Sequence, residues 1–136
     1  MSMRSFMTTN VYSFSGTILI TGACLPEVDS GALELLVQEA DQVFSLCLEE
    51  THFNMALAKF TAVMGTGQVR RVLLASVDRS PHCTQLHYLA HELERVYPDH
   101  VPVESYVLHE HLLVPVPPEA IDLSKSLFRL SRMTGK

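Results

Sequence analysis

Tryptophan is absent from this 136-residue chain, and charged residues make up only 18% of it. There is no CxxC pair, no HExxH, and no glycine-rich phosphate fingerprint opening a helix. Gly65-Thr66-Gly67 is the nearest approach to such a fingerprint, but it precedes an apolar strand-like run, the wrong side for a phosphate loop. Long hydrophobic runs are missing too. Val72-Leu73-Leu74-Ala75 is far too short to cross a bilayer, and MSMRSFMTTN carries no leader-like apolar stretch behind its one arginine. Positive charge is also scarce: the net charge of −5 is spread along the chain and argues against nucleic acid or an anionic membrane as partner.

Cysteine is sparse. Cys24, Cys47 and Cys83 form an odd set, unlike the dense even frameworks of secreted domains, so reduced thiols and a cytoplasmic location are expected. What is abundant is apolar side chain, 47% of the sequence. So few charges over so much apolar surface lead us to expect a homo-oligomer. The length fits one domain with a core of its own. Residues 1–10 read as a polar lead, disordered in part, followed by a single domain over 11–136.

Local patterns then give the element order. Val11 to Phe14 reads as a short strand, and Thr17 to Thr21 as a buried one closed by Gly22. Asp29 or Ser30 would cap a helix carrying Leu33, Leu36, Val37 and Ala40. Val43 to Leu48 fits a strand, and Thr51 would cap a helix ending at Gly65 or Gly67. Val69 to Val77 is the clearest strand. Ser80 then caps a helix with Pro81 at its first position, Leu86, Leu89, Ala90, Leu93 and Val96 as its inner stripe, and Pro98 as its stop. Val103 to Leu108 and His111 to Val114 form a hairpin about His109-Glu110, and a last helix opens at Pro117. The order βαβαβαββα predicts an α/β fold, a mainly parallel sheet of about four or five strands under helices, with an antiparallel hairpin near the C-terminus. An α+β ferredoxin-like arrangement is the alternative.

In open α/β sheets ligands bind beyond the carboxyl ends of the strands. Those connections carry Cys24 after the first buried strand, Glu49 and His52 after the second, Asp78, Ser80, His82 and Cys83 after the third, and His109 after the fourth. The stretch Val77-Asp78-Arg79-Ser80-Pro81-His82-Cys83 is therefore the expected centre of a site. Three functions follow from it. A ligand-binding or accessory module would use Asp78, Ser80 and the free amides of the helix start, with Cys24, Glu49, His52 and His109 contributing, for a small molecule or anion. A thiol-dependent enzyme would use Cys83, in the first helical turn, as a thiolate beside His82. A metal- or redox-associated protein would use Cys83 with His87, about 40° apart on one helix face, and His109 or His111 to complete the shell. His91, a further turn along, drifts towards solvent. No pattern names a cofactor.

Val72-Leu73-Leu74-Ala75-Ser76-Val77-Asp78-Arg79-Ser80-Pro81-His82 resembles the strand, Asp and Ser-capped helix that open universal stress proteins. In that family the Asp helps hold an adenine nucleotide. The likeness is confined to this stretch, which here lies mid-chain, and the family's later glycine-rich phosphate loop has no counterpart after Val103. No residue role is carried over from it.

Overall fold

The structure is a computed structural model describing residues 3–29, 31–96 and 101–135, without the side chains of Glu27, His82, Glu94, Arg95 and Val96. Ser30, Pro98 and the Val96 side chain, assigned above as a cap, a stop and part of a stripe, lie outside the described residues.

Six strands form one sheet: β1 (Arg4–Ser5), β2 (Gly16–Gly22), β3 (Gln42–Leu46), β4 (Val69–Val77), β5 (Val103–His109) and β6 (Leu112–Val116), in the spatial order β1-β3-β2-β4-β5-β6. All neighbours pair in parallel except β5 with β6. This is the α/β architecture expected. The parallel run of five neighbouring strands, β1-β3-β2-β4-β5, rules out the ferredoxin-like alternative, whose sheet is antiparallel. From β2 the chain winds outward both ways, to β3 on one side and to β4 and β5 on the other.

Alternation along the strands decides which helices cover which face. Ile18 and Ile20 of β2 and Val72 and Leu74 of β4 point into one core, beneath α3 (Phe53–Gly65) and α4 (Pro81–Val96). Leu19, Leu73 and Ala75 point into the other, beneath α1 (Leu25–Val28) and α2 (Glu34–Glu39). Strand β4 and helix α4 start where the sequence puts them, because an unbroken apolar run and a Ser-Pro cap are strong local signals.

Two caps lie elsewhere than expected, since Asp29 closes α1 while α2 starts after Leu33, and α3 starts after His52 rather than Thr51; three elements depart further. The lead is tied down: Arg4 and Ser5 pair with Phe44 and Ser45 of β3, and Phe6 is fully buried against Phe14, Phe44 and Phe60, with ring centroids 5.4, 6.5 and 5.6 Å away. Val11–Ser13 is a single 3-10 turn rather than a strand, because the Asn10 side chain accepts the Tyr12 amide and caps it. The final helix is two, α5 (Pro118–Ser124) and α6 (Leu127–Met133), broken where the Ser126 hydroxyl caps a new start. Neither buries a residue, and Leu127 and Phe128 stand exposed. Among the described residues no helix is long and apolar enough to cross a membrane.

Candidate functional site

Because β3 and β4 leave β2 in opposite directions, the connections at the carboxyl ends of β2 and β4 diverge and leave a crevice between them. Three backbone segments wall a cleft there of about 70 Å³: Gly22-Ala23-Cys24 after β2, Leu46 to Glu49 after β3, and Ser80 with Cys83 and Leu86 at the start of α4. A backbone bond joins two of these walls: the Ala23 amide donates to Leu46 O at 3.2 Å.

All three cysteines line this cleft. The Sγ atoms of Cys24 and Cys83, 59 residues apart in sequence, lie 3.3 Å from each other as free thiols. Burial, followed by the hydrogen bond and the charge of Cys83, pushes the Cys24 thiol up to about 11, so Cys24 is protonated at neutral pH. Cys83 is buried, and Gly22 makes room for it: a Cβ on Gly22 would come within 2.9 Å of the Cys83 Sγ. Glycine stands at this strand end because a thiol from α4 occupies the space a side chain would need.

Ser80 acts as the sequence implies. Its Oγ accepts the Cys83 amide at 3.3 Å and its carbonyl accepts the Thr84 amide at 3.0 Å, so it caps α4 while bordering the cleft. Arg79 before it takes a left-handed φ of 70°, which turns the chain sharply from β4 into α4.

The sequence-predicted residues thus fall into separate groups. Cys24, Glu49, Ser80 and Cys83 converge on the cleft. Asp78 does not line it; its carboxylate lies 3.5 Å from His109 Nδ1 at the exposed end of β5. His52 is the exposed residue preceding α3 and makes no side-chain cap bond. The His82 side chain lies outside the described residues. His111 pairs with Asp29 at 3.0 Å, and that hydrogen bond holds the Asp29 carboxyl below its ordinary range.

His87 is not beside Cys83. Its Nε2 lies 2.6 Å from the Ser76 Oγ, deep between α4 and β4. Desolvation lowers its pKa to about 4, so the ring is neutral at pH 7. Among the described residues no three His, Cys, Asp or Glu side chains are grouped to hold a metal ion. Sequence reasoning missed Cys47 and Gly22 as parts of the site. The sequence puts Cys47 inside the strand Val43 to Leu48, whereas β3 ends at Leu46 and frees it for the cleft; the role of Gly22 needs the position of Cys83.

Comparison with curated proteins and with solved structures finds no match in either. The profile of one family does match, the Rossmann-like domain, over residues 15–129, which takes in β2 to β6, the helices between them and the whole of the cleft. With this span, the parallel sheet wound both ways from β2, and the crevice at its switch point, the chain belongs to the Rossmann-like domain family.

Proposed function

We propose that this chain is a ligand-binding or accessory module whose site is the switch-point cleft bounded by Gly22 to Cys24, Leu46 to Glu49, and Ser80 with Cys83. The observation that carries this reading is the convergence of three separate strand-to-helix connections on one crevice at the carboxyl edge of the sheet. The cleft is small, and the connection after β2 has one glycine and a one-turn helix containing Pro26. A small ligand, or one end of a larger one, seated against thiols fits it better than a pyrophosphate cradled by glycine amides. Amide shift mapping of the labelled protein against a library of small water-soluble fragments tests this. Perturbations centred on Ala23, Cys24, Glu49 and Ser80 support the site; hits that map elsewhere overturn it.

The 3.3 Å separation of Cys24 and Cys83 favours a second reading, a redox-active dithiol. One thiolate attacks a low-molecular-weight disulfide and releases its first thiol; the other cysteine then displaces the second thiol from the mixed disulfide. The pair gives up two electrons and two protons, and two small thiols leave reduced. Incubation with oxidised glutathione should remove two hydrogens from the protein and leave no adduct. A stable glutathione adduct, or two free thiols at equilibrium, counts against it.

A further inference from the structure

A larger cavity, of about 410 Å³, lies away from the thiols, between α4, the β5–β6 hairpin and α5. It is within the range of about 300–1,000 Å³ common for small-molecule sites. Its walls are mostly apolar, with Val103, Pro115, Val116 and Ile121 prominent, and His87 and His91 stand on the α4 side. A smaller compartment of about 160 Å³ shares His87, Val116 and Ile121 with it. His87 is thus common to both, although only 3% exposed.

The Ser76 Oγ lies 2.6 Å from His87 Nε2, and in the tautomer where the hydroxyl donates the ring proton sits on Nδ1. That Nδ1 is buried and has no partner among the described residues, a costly state for a donor. One turn along α4, the Lys125 ammonium can only donate, so its 2.8 Å contact makes His91 Nδ1 an acceptor and puts the proton on Nε2. In that tautomer both rings offer N–H donors, from positions i and i+4 of one helix face. Glu104, the acid in the wall, has its carboxylate committed to Arg71 and to the Tyr106 hydroxyl. Donors, a nearby ammonium and apolar walls fit an oxygen acceptor on an apolar body.

We propose that the cavity between α4, β5–β6 and α5 binds a small apolar carboxylic acid, its carboxylate accepting from His87 and His91 and its hydrocarbon body lying along Val116, Pro117 and Ile121. This site is separate from the switch-point cleft and does not depend on that reading.

Octanoate serves as the probe, with octanol and octylamine as head-group controls. Titration of the labelled protein should shift the imidazole nitrogens of His87 and His91 with octanoate, while the controls bind at least tenfold more weakly. His87→Phe, which removes the donor but keeps an aromatic ring, should weaken octanoate at least tenfold, and Ile121→Trp should do the same by filling the cavity. Cys24→Ser should leave octanoate binding unchanged. No octanoate binding, equal binding of octanol, or shifts that leave both imidazoles unmoved overturns the proposal. Because the imidazole shifts are read on the wild-type protein, the test survives a variant that fails to fold.

Discussion

Gly22→Ala is the sharpest probe of how the switch point is built. The added Cβ would lie 2.9 Å from the Cys83 Sγ and 3.9 Å from the Ala75 carbonyl oxygen. A comfortable contact between such atoms is about 3.5–4 Å, so the sulfur must retreat by the better part of an ångström. The Cys24 Sγ is also 3.3 Å from that sulfur, so a shift that relieves one contact changes the other. Overpacking of this kind costs about 1–3 kcal/mol. Gly22 has no left-handed φ, so alanine also stiffens the unfolded chain and returns about 0.4–1 kcal/mol. Gly22→Ala alone should then destabilise by up to about 2.6 kcal/mol. In a Cys83→Ala background the sulfur is gone, and the same change should be neutral or stabilising. Urea unfolding of the four proteins in the cycle measures the coupling, with the midpoint moving and the slope constant. If the two changes add within about 0.5 kcal/mol, Gly22 is not there to admit the thiol, and the account of the cleft fails.

Phe6→Ala should destabilise by about 3–5 kcal/mol, since the ring is fully buried in an aromatic cluster; a loss under about 1 kcal/mol in urea unfolding would mean the lead is loose after all. Cys24, with its thiol near pKa 11, should react slowly with iodoacetamide at neutral pH and speed up as pH rises towards 10, as followed by peptide mass; modification at the rate of a free cysteine at pH 7 refutes this. Burial keeps the folded pKa of His87 at about 4, below its unfolded value near 6.5, so between those pH values the unfolded chain binds the extra proton. The stability this neutral ring contributes is complete above the unfolded pKa and falls with decreasing pH, by up to about 1.4 kcal/mol per unit, until pH reaches about 4. His87→Phe should remove that share of the acid sensitivity, and equal slopes for both proteins between pH 6.5 and 4.5 would contradict it.

The sheet and the place of the site were readable because their signals are local. The apolar run Val72-Leu73-Leu74-Ala75 inside β4 and a Ser-Pro cap define β4 and α4 without reference to any partner. The strand-end rule placed Cys24 and Cys83 at the same edge, but only strand order makes those two connections neighbours, and no local pattern encodes it. The lead misled for a related reason: its polar composition hides one phenylalanine whose partners come from three other segments. His87 was misleading in another way. Helical spacing puts it on the face of Cys83, yet a turn of about 5.4 Å carries it past the end of the sheet edge and over Ser76, inside the sheet rather than beyond it.

Both borders of the sheet are short of donors for a further strand. On one side β1 offers only two residues. On the other, Pro115 faces Tyr106 across the β5–β6 ladder. A proline can occupy only the pair that exchanges no bonds, so its nitrogen points outward and presents no N–H. Edge-to-edge addition of another copy would therefore find few donors at either border. Exposed apolar side chains gather instead on α6, where Leu127, Phe128 and Met133 all face solvent.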